Sequence, residues 1–88
     1  LLLDKINKID ERETMNEIER KRWVILDFAN AIRKREYDRE AYNHVLNTYE
    51  EYERILKAKG MANGEADLAI AYIRKRYTEY IEAGFPEY

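Results

Sequence analysis

Three basic triplets, Arg20-Lys21-Arg22, Arg33-Lys34-Arg35 and Arg74-Lys75-Arg76, are the residues of this chain best suited to holding a ligand. Clustered cations neutralise phosphates, and eight tyrosines supply rings of the kind that stack on nucleic-acid bases. On that reading Arg33, Arg35, Arg74 and Arg76 are the contact residues. The spacing weakens it. Consecutive helical residues point about 100° apart, so a triplet fans out instead of forming a patch. Acidic residues from Glu11 to Glu19 and at Glu50, Glu51 and Glu53 lie close by. The plainer account is solvated helix faces laced with pairs such as Glu13–Glu17–Lys21 and Glu50–Arg54.

Catalytic and metal-binding sets are missing from the pattern. His44 is the one histidine, and the chain has neither cysteine nor serine, which removes thiolate nucleophiles, disulfides, Cys-ligated zinc and a serine triad together. Carboxylates are plentiful but sit beside bases on polar faces, where nothing shifts their protonation toward acid–base work. Glu65 and Asp67 near Gly64 do not reproduce the alternating ligands of a calcium loop. We therefore expect no enzyme activity, no metal and no cofactor. A helix-turn-helix is a weak fit too, because Ala66, Leu68, Ala69, Ile70 and Ala71 occupy the turns that should reach base edges. The tyrosines Tyr42, Tyr49, Tyr52, Tyr77 and Tyr80 fall on inner faces and suit a core with hydroxyls at its rim; an aromatic ligand groove is their second reading.

The elements that carry these residues are helices. One proline and three glycines among 88 residues leave too few turns for a β domain. Met15, Ile18, Ile25, Ala29 and Ile32, with Leu26 at the edge, form the core stripe of a first helix over residues 14–35. Upstream, Leu2, Ile6 and Ile9 repeat at helical intervals before the polar run Asp10-Glu11-Arg12-Glu13-Thr14. Two readings stay open there. The absence of Gly and Pro favours one continuous helix, while the capping box Thr14-Met15-Asn16-Glu17 allows a restart at residue 15. Asp38 is placed to cap a second helix bearing Tyr42, Val45, Leu46, Tyr49, Tyr52 and Leu56, which Gly60 ends in a Schellman motif. A third helix is expected from Asn63, with Ala66, Ala69, Ile70, Ile73, Tyr77, Tyr80 and Ile81 inward, stopped at Gly84-Phe85-Pro86 by the same device. The fold class is all-α: a long N-terminal helix packed on an antiparallel helical hairpin, with residues 1–13 as a helical extension and 14–88 as a three-helix bundle.

From Ile32 to Ile81, the Ile-Arg start, the polar turn, Tyr49-Glu50-Glu51-Tyr52-Glu53, Leu56 and the Gly60…Asn63-Gly64 elbow resemble small helical proteins encoded by phages and prophages of Gram-positive bacteria. Here Met61-Ala62 separate the glycines and the last helix is longer. The resemblance implies a virion or phage-accessory protein working through protein contacts, with no catalytic residues to carry over.

Length then points to a partner. A first helix of about 34 residues measures roughly 50 Å and a hairpin of about 20-residue helices roughly 30 Å. Leu1, Leu2, Leu3, Ile6 and Ile9 lie on the overhang. They suit docking on another copy of the chain or on a different protein, as a short coiled coil or a helix in a groove; folding back on their own bundle is the alternative. Trp23, within the all-round apolar run 23–28, is a further contact candidate. The expected function is a self-associating, non-enzymatic assembly component whose interface is Leu2, Leu3, Ile6, Ile9 and Trp23. The alternative is a small regulator that holds nucleic acid or blocks a host factor through its Arg/Lys triplets. A net charge of −2 gives no bulk attraction to nucleic acid or anionic lipid, and no apolar run approaches the roughly 20 residues of a membrane span. We expect a cytoplasmic or virion-associated protein. The sequence opens on Leu, which leaves room for an upstream segment, a targeting signal included.

Overall fold

The structure, a computed structural model, describes the backbone of residues 2–62, 64 and 66–85 and the side chains of residues 12–62, 64 and 66–85. Three helices follow one another: α1 (Leu2–Ala31), α2 (Arg39–Ala58) and α3 (Asp67–Ala83). The described residues contain no strand.

α1 is uninterrupted, with no break at residues 10–14. It ends at Ala31, earlier than the apolar stripe suggests. Beyond it Arg33 and Lys34 donate their N–H groups to Asn30 and Ala31 at 3.3 and 3.0 Å, the tighter i→i−3 bonding of a turn. The turn keeps Ile32 buried and brings the Tyr37 ring back to within 5.3 Å of Phe28. α2 starts where Asp38 accepts the N–H of Ala41 at 3.0 Å. It closes in a full Schellman motif: Gly60 has φ +66, Met61 N–H donates to Leu56 C=O at 2.9 Å and Gly60 N–H to Lys57 C=O at 3.1 Å.

α3 begins later than the sequence implies. Asn63 lies outside the described residues, and the helix starts at Asp67 behind Ala66, which caps without a side-chain bond. Ala66 is fully buried, so the link enters the core before the helix forms. The end of α3 also departs from expectation. Gly84 has φ +94 and ψ 142, a positive-φ conformation outside the left-handed helical region that glycine tolerates, and Phe85 then stacks on Tyr80 at 5.3 Å.

α1 is the hub, touching α2 and α3 more extensively than they touch each other. Lys21 pairs with Glu51 and Phe28 with Tyr42, so α2 runs antiparallel to α1. Tyr42 meets Tyr80 while Tyr49 meets Arg74, so α3 runs antiparallel to α2. The core consists of Ile18, Ile25, Phe28, Ala29 and Ile32 from the first segment, Tyr42, Val45, Tyr49, Tyr52 and Leu56 from α2, and Ala66, Ile70 and Ile73.

The pairings also set the levels of the helices. With Lys21 opposite Glu51, the stretch from Glu51 to Ala58 climbs about 10 Å and stops level with Thr14. Residues 2–13 continue α1 for about 18 Å beyond that point. The molecule is 58 Å long with a radius of gyration of 16.0 Å, against about 12 Å for a compact domain of this length. Met15, assigned to the core stripe above, is 42% exposed, because only the last turn of α2 is level with it and α3 starts beside Trp23, further along α1.

Candidate interaction surface

Trp23 stands two residues before Ile25 on α1, and Leu68 two before Ile70 on α3. Two residues turn a helix by about 200°, so burial of the isoleucines turns both of these side chains outward. Trp23 is 61% and Leu68 85% exposed, and it is their joint placement on one groove, not their exposure singly, that makes a candidate contact site. They flank a groove of about 320 Å³ floored by Leu26, Ala29 and Ala69 and continued by Asn30 and Arg33. Its far end is cationic and aromatic, the Arg33 guanidinium lying 4.9 Å above the Tyr72 ring.

Trp23 was legible as a contact candidate, and the structure gives it a neighbourhood. Leu68 is absent from both the inward face and the contact residues expected from the sequence, although its spacing two residues before Ile70 already turns it outward. The side chains of Leu2, Leu3, Ile6 and Ile9 lie outside the described residues.

The four candidate nucleic-acid arginines do not converge on one face. Each covers a ring of its own fold: Arg33 over Tyr72, Arg35 over Tyr37 at 4.3 Å, Arg74 over Tyr49 at 5.1 Å and Arg76 over Tyr80 at 5.4 Å. Arg33 belongs to the α1–α3 side and Arg74 to the α2–α3 side. The first triplet is also engaged inside the bundle. Lys21 donates to Glu51 at 2.9 Å and lies 3.6 Å from Glu17, and Arg22 Nε donates to the Tyr52 hydroxyl at 3.3 Å. The bond between Lys21 and Glu51 raises the ammonium's pKa and lowers the carboxyl's. These bases tie helices together.

The most perturbed phenol is Tyr42. Burial first, then the neighbouring Tyr80, pushes its pKa up to about 12. It sits among Phe28, Tyr77, Tyr80 and Phe85 with ring centroids 5.0–5.9 Å apart, an arrangement of packed edges and faces without room for a ligand. His44 is exposed, and its carbonyl accepts the Thr48 hydroxyl at 2.9 Å. Among the described residues no group of three or more His, Asp or Glu side chains could hold a metal ion, and no described helix is long and apolar enough to cross a membrane. Comparison with known proteins yields no match to a family model, a curated sequence or a solved structure.

Proposed function

We propose that this protein works by binding protein, as a self-associating structural or assembly component whose contacts are Leu2, Leu3, Ile6, Ile9 and Trp23, and that it catalyses no reaction. The observation that carries this reading is the run of α1 beyond the level at which α2 ends. On an unbroken helix, positions 2, 6 and 9 lie roughly 140° around from the core positions 18, 25, 29 and 32. Burying each such aliphatic side chain is worth about 1.5–3 kcal/mol, the gain that contact with a second chain would supply.

The resemblance of residues 32–81 to small phage and prophage proteins suggests the setting, a virion-associated or cytoplasmic accessory component. The regulator reading is supported by the arginines at positions 33, 35, 74 and 76, but their intramolecular ring contacts and scattered placement favour assembly. Light scattering separates the two. Assembly predicts a mass that rises with concentration and falls to the monomer on Ile6→Asp with Ile9→Asp. A concentration-independent mass, with salt-sensitive DNA binding lost on replacing Arg74 and Arg76, would instead support the regulator.

A further inference from the structure

We infer that the α1–α3 groove between Trp23 and Leu68 is the receptor for residues 2–13 of a second copy of this chain, docked parallel to α1 and about twenty residues out of register. This rests on the assembly reading above and names the surface that completes it.

Length is the first argument. The part of α1 that outruns α2 spans residues 2–13, and the groove runs along α1 from Trp23 into the turn at Arg33, so plug and receptor are each roughly 15–18 Å long.

Order of chemistry is the second. Positions 2, 6, 9 and 13 form one stripe at helical spacing, reading Leu, Ile, Ile, Glu. The groove's own α1 wall, at positions 23, 26, 30 and 33, reads Trp, Leu, Asn, Arg. Laid parallel, Leu2 meets Trp23 and Ile6 meets Leu26 beside Leu68 and Ala69, Ile9 falls at Asn30 next to Ala29, and the Glu13 carboxylate meets the Arg33 guanidinium over Tyr72. Reversing the direction would put Glu13 against Trp23 and Leu68.

Clearance is the third. α2 of the docking copy ends level with its own residue 14, so its bundle begins beyond Arg33 of the receptor and packs on the opposite face of the docked helix. Two parallel helices with this offset cannot exchange segments reciprocally. The contact is therefore head-to-tail, leaving a free groove at one end and a free segment at the other.

The test uses sedimentation equilibrium on the full chain, with circular dichroism confirming that each variant stays helical. The unsubstituted chain should grow past the dimer without a plateau. Leu68→Glu, at a position 85% exposed in the bundle, should weaken association roughly thirtyfold or more, as loss of an interface anchor does. Arg33→Glu should weaken it roughly two- to fivefold, and adding Glu13→Arg should restore it. A mixture of the Ile6→Asp/Ile9→Asp variant with Leu68→Glu should give a two-chain complex that stops there. If Leu68→Glu associates as strongly as the unsubstituted chain while Ile6→Asp/Ile9→Asp stays monomeric, the segments pair with each other and the groove assignment is wrong. If the unsubstituted chain is monomeric throughout, the assembly reading fails first and this inference with it.

Discussion

Tyr42 closes the end of the bundle where α1 turns into α2 and α3 terminates. It is 1% exposed, and four aromatic rings surround it. Its phenol keeps its proton to about pH 12 in the fold but only to about 10 in an unfolded chain. The folded state thus binds more protons between those values. The corresponding stability is complete below pH 10 and lost as pH rises through 12. Thermal melts from pH 8 to 12 should show a decline that Tyr42→Phe largely removes. Equal declines in both chains would mean that the phenol titrates normally. Trp23, the single tryptophan, offers a second residue-level readout. Its emission should shift to shorter wavelength as concentration rises and the exposed ring is covered; emission independent of concentration would leave Trp23 outside any interface. Tyr42's place inside was readable from its helical spacing. The contribution of Phe85 was not, because a residue after a stopping glycine carries no periodicity, and only the positive-φ geometry of Gly84 brings it against Tyr42.

At the scale of elements, stripes and caps carried most of the information. Asp38, Gly60 and the α2 face fell where their spacing put them because each rests on local chemistry: a carboxylate accepting Ala41 N–H, a glycine at φ +66. Asp38→Ala should cost about 1 kcal/mol by removing the cap. Gly60→Ala should also cost about 1 kcal/mol, through the strained φ, since a Cβ there meets nothing within 4 Å. Urea denaturation checks both, and a neutral Gly60→Ala would show that the turn relaxes. Features set by where one helix stops against another were illegible. Met15 carries the same stripe as Ile18, yet it is 42% exposed and Ile18 0%, because Met15 is level only with the last turn of α2 while Ile18 lies a turn further into the bundle. Ile18→Ala should cost about 2–5 kcal/mol, while Met15→Lys should stay within about 0.5 kcal/mol. Comparable losses at both positions would mean that the bundle reaches further down α1.

For the whole molecule, stagger matters more than helix count. Three helices of 30, 20 and 17 residues share a core whose described buried residues run from Ile18 to Ile73, and the longest continues past the level at which its antiparallel neighbour ends. The proposed end-to-end joining of copies rests on that stagger and on the groove between Trp23 and Leu68. The projection was visible in the sequence as apolar spacing upstream of the core stripe; the groove needed the parallel placement of α1 and α3. The most direct measurement is the mass of the unsubstituted chain by sedimentation equilibrium across a wide concentration range. The account predicts a mass that climbs steadily above the 10.7 kDa of one chain, whereas 10.7 kDa at every concentration would contradict it.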